Sequence, residues 1–412
     1  TAVIPEYLTA LLFFLVAMLL GLAPKEVVFA GFQSTALWLI LSGLVFGVAI
    51  RQTGLGQRLA DIVSGYLHGS YAQLISGCVA ISLVFGFLMP SAMGRVVLLL
   101  PVAMLIADHF GFKPGQNGRR GVLLAFLLGS FLPGFAILPS NVPNMVLVGM
   151  SETVYGYSPL YGEYLLLHFP VLGLLKAMMI ISLILWMFPD KPVRSGQSHF
   201  SRKTGLSPAE RHLTILLILL TVFWATDFIH HVSPAWIGLA GAVYLLLPRI
   251  GLLDPSIFNT EINFASMFFV AGILGMGAMV NHSGLANLLG VVAIKVLPLA
   301  DSHTFIQFMA LGISAAMTGV VATISGIPAI QMPIAQDIAS VSGLPLKTVI
   351  MTQVLGYSTV IFPYTAPPIV IGMQIAGESF NVALKFCLIL ALLTFVILLP
   401  LDYLWWRYLG WI

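Results

Sequence analysis

The run "FLMPSAMGRVVLLLP" (87–101) places Pro90, Ser91, Gly94 and Arg95 inside an otherwise apolar stretch. Lipid disfavours each of them. Broken helix needs replacement hydrogen-bond partners, and an uncompensated Arg at bilayer depth costs at least about 2.5–3.5 kcal/mol. Three further stretches, 138–144, 323–328 and 363–368, combine prolines with Ser, Thr or Asn in the same way. A helix that starts at such a break points unpaired N–H groups into the gap and carries roughly half a positive charge there, so it attracts anions. Unwound carbonyls and hydroxyls are oxygen ligands of the kind a hard cation takes.

From these breaks come two sets of candidates. Ser91, Arg95, Asn144, Thr323, Ser325 and Thr365 are the candidate contacts to an anion. Ser140, Asn141, Ser358 and Thr359 are the candidate ligands of a cation such as Na⁺. Tyr364 adds a further hydroxyl, and no acidic residue sits at any of the four breaks. The site is therefore neutral to positive and favours an anionic substrate. For Arg95 these readings stay open: a bidentate grip on a substrate carboxylate or sulfate-like group, a fixed partner inside the protein such as Asp337, or snorkelling toward an aqueous cavity.

The elements that carry these breaks belong to a membrane. Apolar residues make up 59% of the 412 and charged residues 8%, against roughly 25% charged in soluble domains. That composition predicts an all-α integral membrane protein, since lipid leaves no water for open backbone. Windows of about 17–25 apolar residues mark spans near 6–22, 33–50, 120–149, 159–188, 212–229, 234–250, 263–281, 348–376 and 382–405. Two stretches, 72–107 and 304–341, are too long for one span and too short for two spans with a turn. Each has turn formers at its centre and predicts a re-entrant helical hairpin of two half-depth helices, tolerated only where protein or a water-filled cavity surrounds it. The Lys/Arg bias sets Arg51, Arg58, Lys113, Arg119, Arg120 and the polar linker 189–211 on the cytoplasmic side. Lys25, Lys295, Lys347, Arg407 and the C-terminus then fall outside.

The two halves also repeat. "LWLILSGLVFGVAIRQTGLGQRLA" (37–60) matches "MFFVAGILGMGAMVNHSGLANLLG" (267–290), and each match is followed by a hairpin, a proline-broken span (120–149, 348–376) and an intact span (159–188, 382–405). An odd number of crossings separates the counterparts, so the repeats are inverted. Inverted repeats with matched broken helices point to a secondary transporter whose site lies between them. The expected organisation is scaffold spans in 1–58 and 212–290, and transport elements in 59–188 and 291–412.

The remaining polar residues carry plainer expectations. Lys176 snorkels or pairs within the bundle, and Asp337 faces a solvated cavity. His168, His230, His231 and His282 sit near span ends, and Trp405-Trp406-Arg407 forms an interfacial anchor. Gly43, Gly47, Gly272 and Gly277 allow close helix packing. Cys78 and Cys387 lie in apolar helix with no metal-ligand spacing. The Ser-Pro-x-Glu run at 207–210 starts the next helix. The chain opens on Thr1 with no signal-peptide pattern.

At this point the chain resembles the divalent anion–sodium symporter (DASS) family of the ion transporter superfamily. The resemblance rests on "LAPKEVVFAGFQSTALWLILSGLVFGVAIRQTGL" (22–55), "VVLLLPVA" (96–103), "LSPAERHLTILLILLTVFWAT" (206–226) and the paired proline-rich breaks, and covers nearly the whole chain. In that family each hairpin tip carries Ser-Asn-Thr and each broken span Thr-Pro-Pro. Here the tips read Ser91-Ala92-Met93 and Thr323-Ile324-Ser325, the breaks Asn141-Val142-Pro143 and Ala366-Pro367-Pro368, and Arg95 replaces a small residue. The resemblance implies an elevator-type movement of a transport domain past a scaffold that forms a homodimer, and two spans upstream of residue 6.

The expected function is a secondary active transporter of a small anion, a C4-type dicarboxylate first, with Na⁺ as candidate coupling ion and no other cofactor. The alternative keeps the fold and is a sodium-independent exchanger or proton-coupled carrier of a sulfate- or sulfonate-like anion. The expected setting is the plasma (cell inner) membrane, the partners its lipid and the anion, with no nucleic acid. An intramembrane enzyme is disfavoured, because the sequence carries no His-Glu-x-x-His, Gly-x-Ser-x-Gly or paired intramembrane aspartates.

Overall fold

In the computed structural model the described residues are 5–55, 58, 70–89, 91–191, 205–249, 251–254, 256–285, 295–300, 302–321 and 323–412. Pro90, most of 56–69 and most of the linker 189–211 lie outside them. Among the described residues every regular element is helical, and nine helices are long and apolar enough to cross a membrane.

The sequence marks many of the helix starts. Ser70 and Gln73 form a reciprocal capping box that opens Tyr71–Leu88. Ser207 and Glu210 do the same for Pro208–Ala225, as the Ser-Pro-x-Glu run predicts. The Ser91 hydroxyl accepts from the Gly94 N–H and starts Ala92–His109.

Two sets of helices result. In the first, Thr35–Thr53 packs on Pro234–Leu246, and Glu6–Leu19 packs on Phe264–His282. Each half of the chain thus supplies a partner to the other. Gly272 closes one of these contacts, since a side chain there would meet Ala10 at 2.5 Å. In the second set, Tyr71–Leu88 and Ala92–His109 both lean on Asn117–Phe131, and Thr304–Val321 leans on Leu346–Tyr357. Gly356 allows that last approach: a Cβ there would meet Ala315 at 2.2 Å.

Both expected broken spans are broken. Asn117–Phe131 gives way to two short 3₁₀ turns, Pro133–Ala136 and Leu138–Ser140, before Val142–Tyr155 begins. Leu346–Tyr357 passes through Pro363–Thr365 into Pro367–Ala376. The first break thus begins several residues earlier than 138, and Asn144 lies inside the following helix. The arms 72–107 are two 18-residue helices, each about 27 Å long at 1.5 Å per residue. They are longer than the half-depth helices of about 15 Å expected from a 30 Å core.

The two spans expected to be intact each carry a π-helical segment instead, Phe169–Leu175 and Thr394–Leu398. The cause is Pro170 and Pro400. Proline has no N–H for the carbonyl one turn back, and one freed acceptor, Leu166 O, takes the Trp405 indole N–H at 3.0 Å. The two π segments sit in corresponding spans of the two halves, a further match between them.

Candidate functional site

A cavity of about 570 Å³ lies where the two sets of helices meet. Its walls come from both tips (Ser91, Gly94, Thr323, Ser325), from both breaks (Asn141, Pro143, Thr365, Pro368) and from one face of the apolar helix Thr35–Thr53 (Leu39, Ile40, Leu44, Val48). Four segments scattered between residues 91 and 368 therefore converge on one space. Arg51, Glu261, Asn263 and Ser266 complete the lining.

Of the ten candidate residues, Ser91, Asn141, Thr323, Ser325 and Thr365 line this cavity. Arg95, Ser140, Asn144, Ser358 and Thr359 are buried outside its lining. Asn144 is turned to the backbone of the first break, donating to Ile137 O at 2.8 Å and Gly134 O at 3.4 Å. Thr359 and Ser358 both donate to Leu355 O, at 2.7 and 3.1 Å. The Thr365 hydroxyl donates to Phe362 O at 2.8 Å, which leaves it an acceptor toward the cavity.

Ser91 is better placed to bind an anion. Its oxygen accepts the Gly94 N–H, so its proton is free to donate. Ala92 and Met93, the first residues of the helix it caps, line the same wall. The N-terminus of an 18-residue helix thus opens on the cavity with its positive dipole end. Val142–Tyr155 starts at the same space and has no side-chain cap. Further along the first helix, Pro101 offers no N–H to the Val97 carbonyl, and both residues line the cavity.

Arg95 stands directly behind the first tip and is fully buried. Its guanidinium donates to four oxygens: Ser130 O at 3.1 Å, Ser140 O at 2.9 Å, Asn141 Oδ1 at 2.7 Å, and Met89 O. The Asn141 amide in turn donates to Phe131 O at 3.0 Å. A side chain on Gly134 would strike this group, at 3.1 Å from the guanidinium and 2.7 Å from Ser140 Oγ. The geometry thus gives Arg95 fixed partners inside the protein, and these are neutral oxygens rather than Asp337. Among the described residues no carboxylate lies within ion-pair distance of it. Its charge stands unneutralised beside the cavity.

A second buried cation lies at the other break. Lys176, 1% exposed, donates to Ser358 O at 2.6 Å and approaches Ser358 Oγ at 3.4 Å. His168 is fully buried between Tyr164 and Trp406 rather than at a span end. Trp406 is itself fully buried against Phe308 rather than at an interface. Tyr164 ties the first break to the second half, donating to Phe135 O at 2.8 Å and meeting the Tyr357 hydroxyl at 3.2 Å.

Arg51, Glu261, Asn263 and Ser266 escape the sequence reading. Arg51 and Gln52 both bond Glu261, the latter at 2.6 Å. These bonds, Arg51's first, hold the Glu261 carboxyl below its ordinary range. No local signal joins residues some 210 positions apart; only the packing of one half's helix on the other's brings them together.

Comparison with known proteins gives a consistent result. The family described as "Sodium:sulfate symporter transmembrane region" matches residues 1–412. A Cupriavidus necator membrane protein is 22% identical over 410 residues, covering 93% of this chain and 77% of its own. The L-tartrate/succinate antiporter of Escherichia coli K12 is 21% identical over 277 residues, 63% of this chain and 55% of the antiporter. The chain thus matches little more than half the length of that antiporter. The crystal structure of the Alcanivorax borkumensis YdaH transporter, described as having an unusual topology, superposes with a TM-score of 0.62 at 15% identity, over 94% of this chain and 88% of that one. With the family matched from end to end, the chain belongs to the sodium:sulfate symporters, the divalent anion–sodium family of multi-pass membrane transporters, and is a transporter rather than an enzyme.

Proposed function

We propose that this protein carries small dianions, C4 dicarboxylates first, across the plasma membrane by moving a hairpin-bearing unit past a scaffold. The observation that carries this reading is the cavity itself. Both tips and both breaks supply its polar wall, the scaffold helix Thr35–Thr53 supplies its apolar wall, and its size falls in the range of small-molecule sites, about 300–1,000 Å³. An anion there meets the Ser91 hydroxyl, Thr323, Ser325 and the positive ends of two helices, with the Arg95 charge behind them. The name of the tartrate/succinate antiporter agrees with a dicarboxylate.

The shared cavity supports re-entrant hairpins, the first with 18-residue arms that then extend beyond half the thickness of the bilayer. The break in the first broken span divides a helix of 15 residues from one of 14, which is near mid-depth if the span crosses the bilayer. The tip at 91–94 shares a cavity with that break, so it reaches the same depth. The moving unit then comprises the transport elements of 59–188 and 291–412, and the scaffold those of 1–58 and 212–290, the latter offering the homodimer contact. With the linker 189–211 in the cytoplasm and the C-terminus outside, the cavity opens inward, past the half-exposed Arg51.

Counterflow of labelled succinate, tartrate and sulfate into proteoliposomes tests the reading. Ser91→Ala and Thr323→Ala are each expected to raise KM about tenfold, the worth of one hydrogen bond to a charged group. A protein that moves none of these anions would end the proposal.

The outer side is held by Glu152. This carboxylate, on Val142–Tyr155, accepts from Thr35 Oγ1 at 2.7 Å, Thr35 N at 3.1 Å and Ser34 Oγ at 3.3 Å. It thereby caps the scaffold helix from the moving unit. A carboxylate at a helix N-terminus is worth about 1–2 kcal/mol when partly buried. Glu152→Ala is therefore expected to shift the inward-to-outward ratio by about five- to thirtyfold. Labelling of a Ser91→Cys reporter by an impermeant thiol reagent from each side reads that shift, and unchanged labelling would dismiss the latch.

A further inference from the structure

We infer that Arg95 stands in place of a coupling sodium ion and that the protein is a sodium-independent anion exchanger. This rests on the transport reading above.

The argument starts from the ligand set. Three backbone carbonyls and one amide oxygen surround the Arg95 guanidinium behind the first tip: Met89 O, Ser130 O, Ser140 O and Asn141 Oδ1. Neutral oxygens from three separate segments form the cage a hard monovalent cation takes. Here the cage holds the guanidinium of Arg95, and Gly134 leaves the room for it. Ser140 and Asn141 are the residues expected to bind sodium in the first half. In the second half the expected ligands are Ser358 and Thr359; the Ser358 carbonyl is taken by the Lys176 ammonium at 2.6 Å, and the Thr359 hydroxyl is turned to Leu355 O. A sodium ion does not fit on acceptors that two fully buried, covalently tethered cations already use. The family's ion and this chain's residues therefore disagree.

Exchange follows from the tether. A sodium ion neutralises the anion and departs with it, so the empty carrier recrosses without the charge. Arg95 cannot depart. Its partners are neutral, and an uncompensated Arg in the membrane costs at least about 2.5–3.5 kcal/mol. The site therefore crosses most readily with an anion in it, in both directions.

The test uses the full chain in proteoliposomes, loaded with unlabelled succinate or left empty, with labelled succinate, tartrate or sulfate outside. Loaded vesicles are expected to exchange at rates equal within about twofold in sodium and in choline media, and empty vesicles to take up label at least about tenfold more slowly. A tenfold fall on replacing sodium by choline, or net uptake into empty vesicles as fast as exchange, would overturn the inference. Melting of the purified protein in sodium against choline chloride gives an independent readout, because an ion that binds only the native state raises Tm. No sodium-specific shift is expected for the wild type, and one above about 2 °C overturns the inference. Arg95→Ala, which vacates the cage, is expected to gain such a shift, and its indifference to sodium would remove the cage from the explanation. If no labelled anion moves in either medium, the transport reading fails, while the melting arm still decides the cation assignment.

Discussion

Arg95→Met is expected to cost about 2–4 kcal/mol of stability and to lower anion transport at least a hundredfold, on the order of the intramembrane charge it removes. The substitution leaves three buried acceptors without a donor, Ser130 O, Ser140 O and Asn141 Oδ1, while Met89 O keeps the Ser91 N–H at 2.8 Å. Each orphaned group costs about 1–3 kcal/mol. The recovered desolvation of the guanidinium offsets part of the sum, which sets the net below the simple total. Three segments meet at the first break through Arg95; the other side-chain bonds there are Tyr164 to Phe135 O and the amides of Asn141 and Asn144 to Phe131 O, Gly134 O and Ile137 O. Arg95→Lys is the informative control. An ammonium keeps the charge and three donors but lacks the planar fork that reaches four acceptors at once, so it should fall between wild type and Met. Denaturant titration in detergent micelles gives the stability, and counterflow gives the rate. A Met variant that unfolds with the wild type would show that the four bonds carry no net weight.

The same residue shows how far the sequence can be read. That Arg95 is costly at its position follows from lipid physics alone, and the run around it announces a break. Which acceptors meet it does not follow, because Ser130, Ser140 and Asn141 are 35 to 46 residues away. They reach it only through the way Ala92–His109 packs on Asn117–Phe131. The order of elements was legible because each is written locally: apolar runs of span length, capping serines at Ser70 and Ser207, prolines at the breaks. Five of the ten candidate site residues share the cavity; of the five that do not, Arg95, Asn144, Ser358 and Thr359 spend donors on backbone carbonyls, while the Ser140 hydroxyl has no partner among the described residues. An unwound segment exposes carbonyls, and the nearest polar side chains satisfy them first. Asn144 is of this kind: its type suits a ligand, and Ile137 O and Gly134 O use it. The other part of the cavity lining, Arg51 with Glu261, had no local mark at all.

The two π segments were overlooked for a different reason. Pro170 and Pro400 sit inside long hydrophobic runs, where window averages hide them. Their consequence is local unwinding of the helix, and it falls beside the second buried charge. Lys176 begins the helix after Phe169–Leu175, and Asp402 lies four residues beyond Thr394–Leu398. Each π segment is thus followed by a buried ionisable residue, Lys176 after the first and Asp402 after the second.

Lys176→Met should destabilise the protein by about 2–4 kcal/mol, since Ser358 O loses its donor in dry protein and the buried Asp402 loses a nearby positive charge. Asp402 is fully buried, and neither of its oxygens has a hydrogen-bond partner. The Lys176 ammonium is not within ion-pair distance of it and gives its bonds to Ser358. Without Lys176 the carboxylate faces dry protein with nothing to balance it, and Ser358 O loses its donor. Asp402→Leu should cost less, about 1–3 kcal/mol, since the ammonium keeps its bonds to Ser358 O and Oγ. The double variant Lys176→Met with Asp402→Leu removes both charges together, and apolar replacement of a buried pair is often close to neutral. It should be more stable than Lys176→Met alone by at least about 2 kcal/mol. A double-mutant cycle from denaturant titrations measures this directly. Additivity within about 0.5 kcal/mol would mean that the two charges do not act on each other, and that the Lys176 ammonium is held by Ser358 alone.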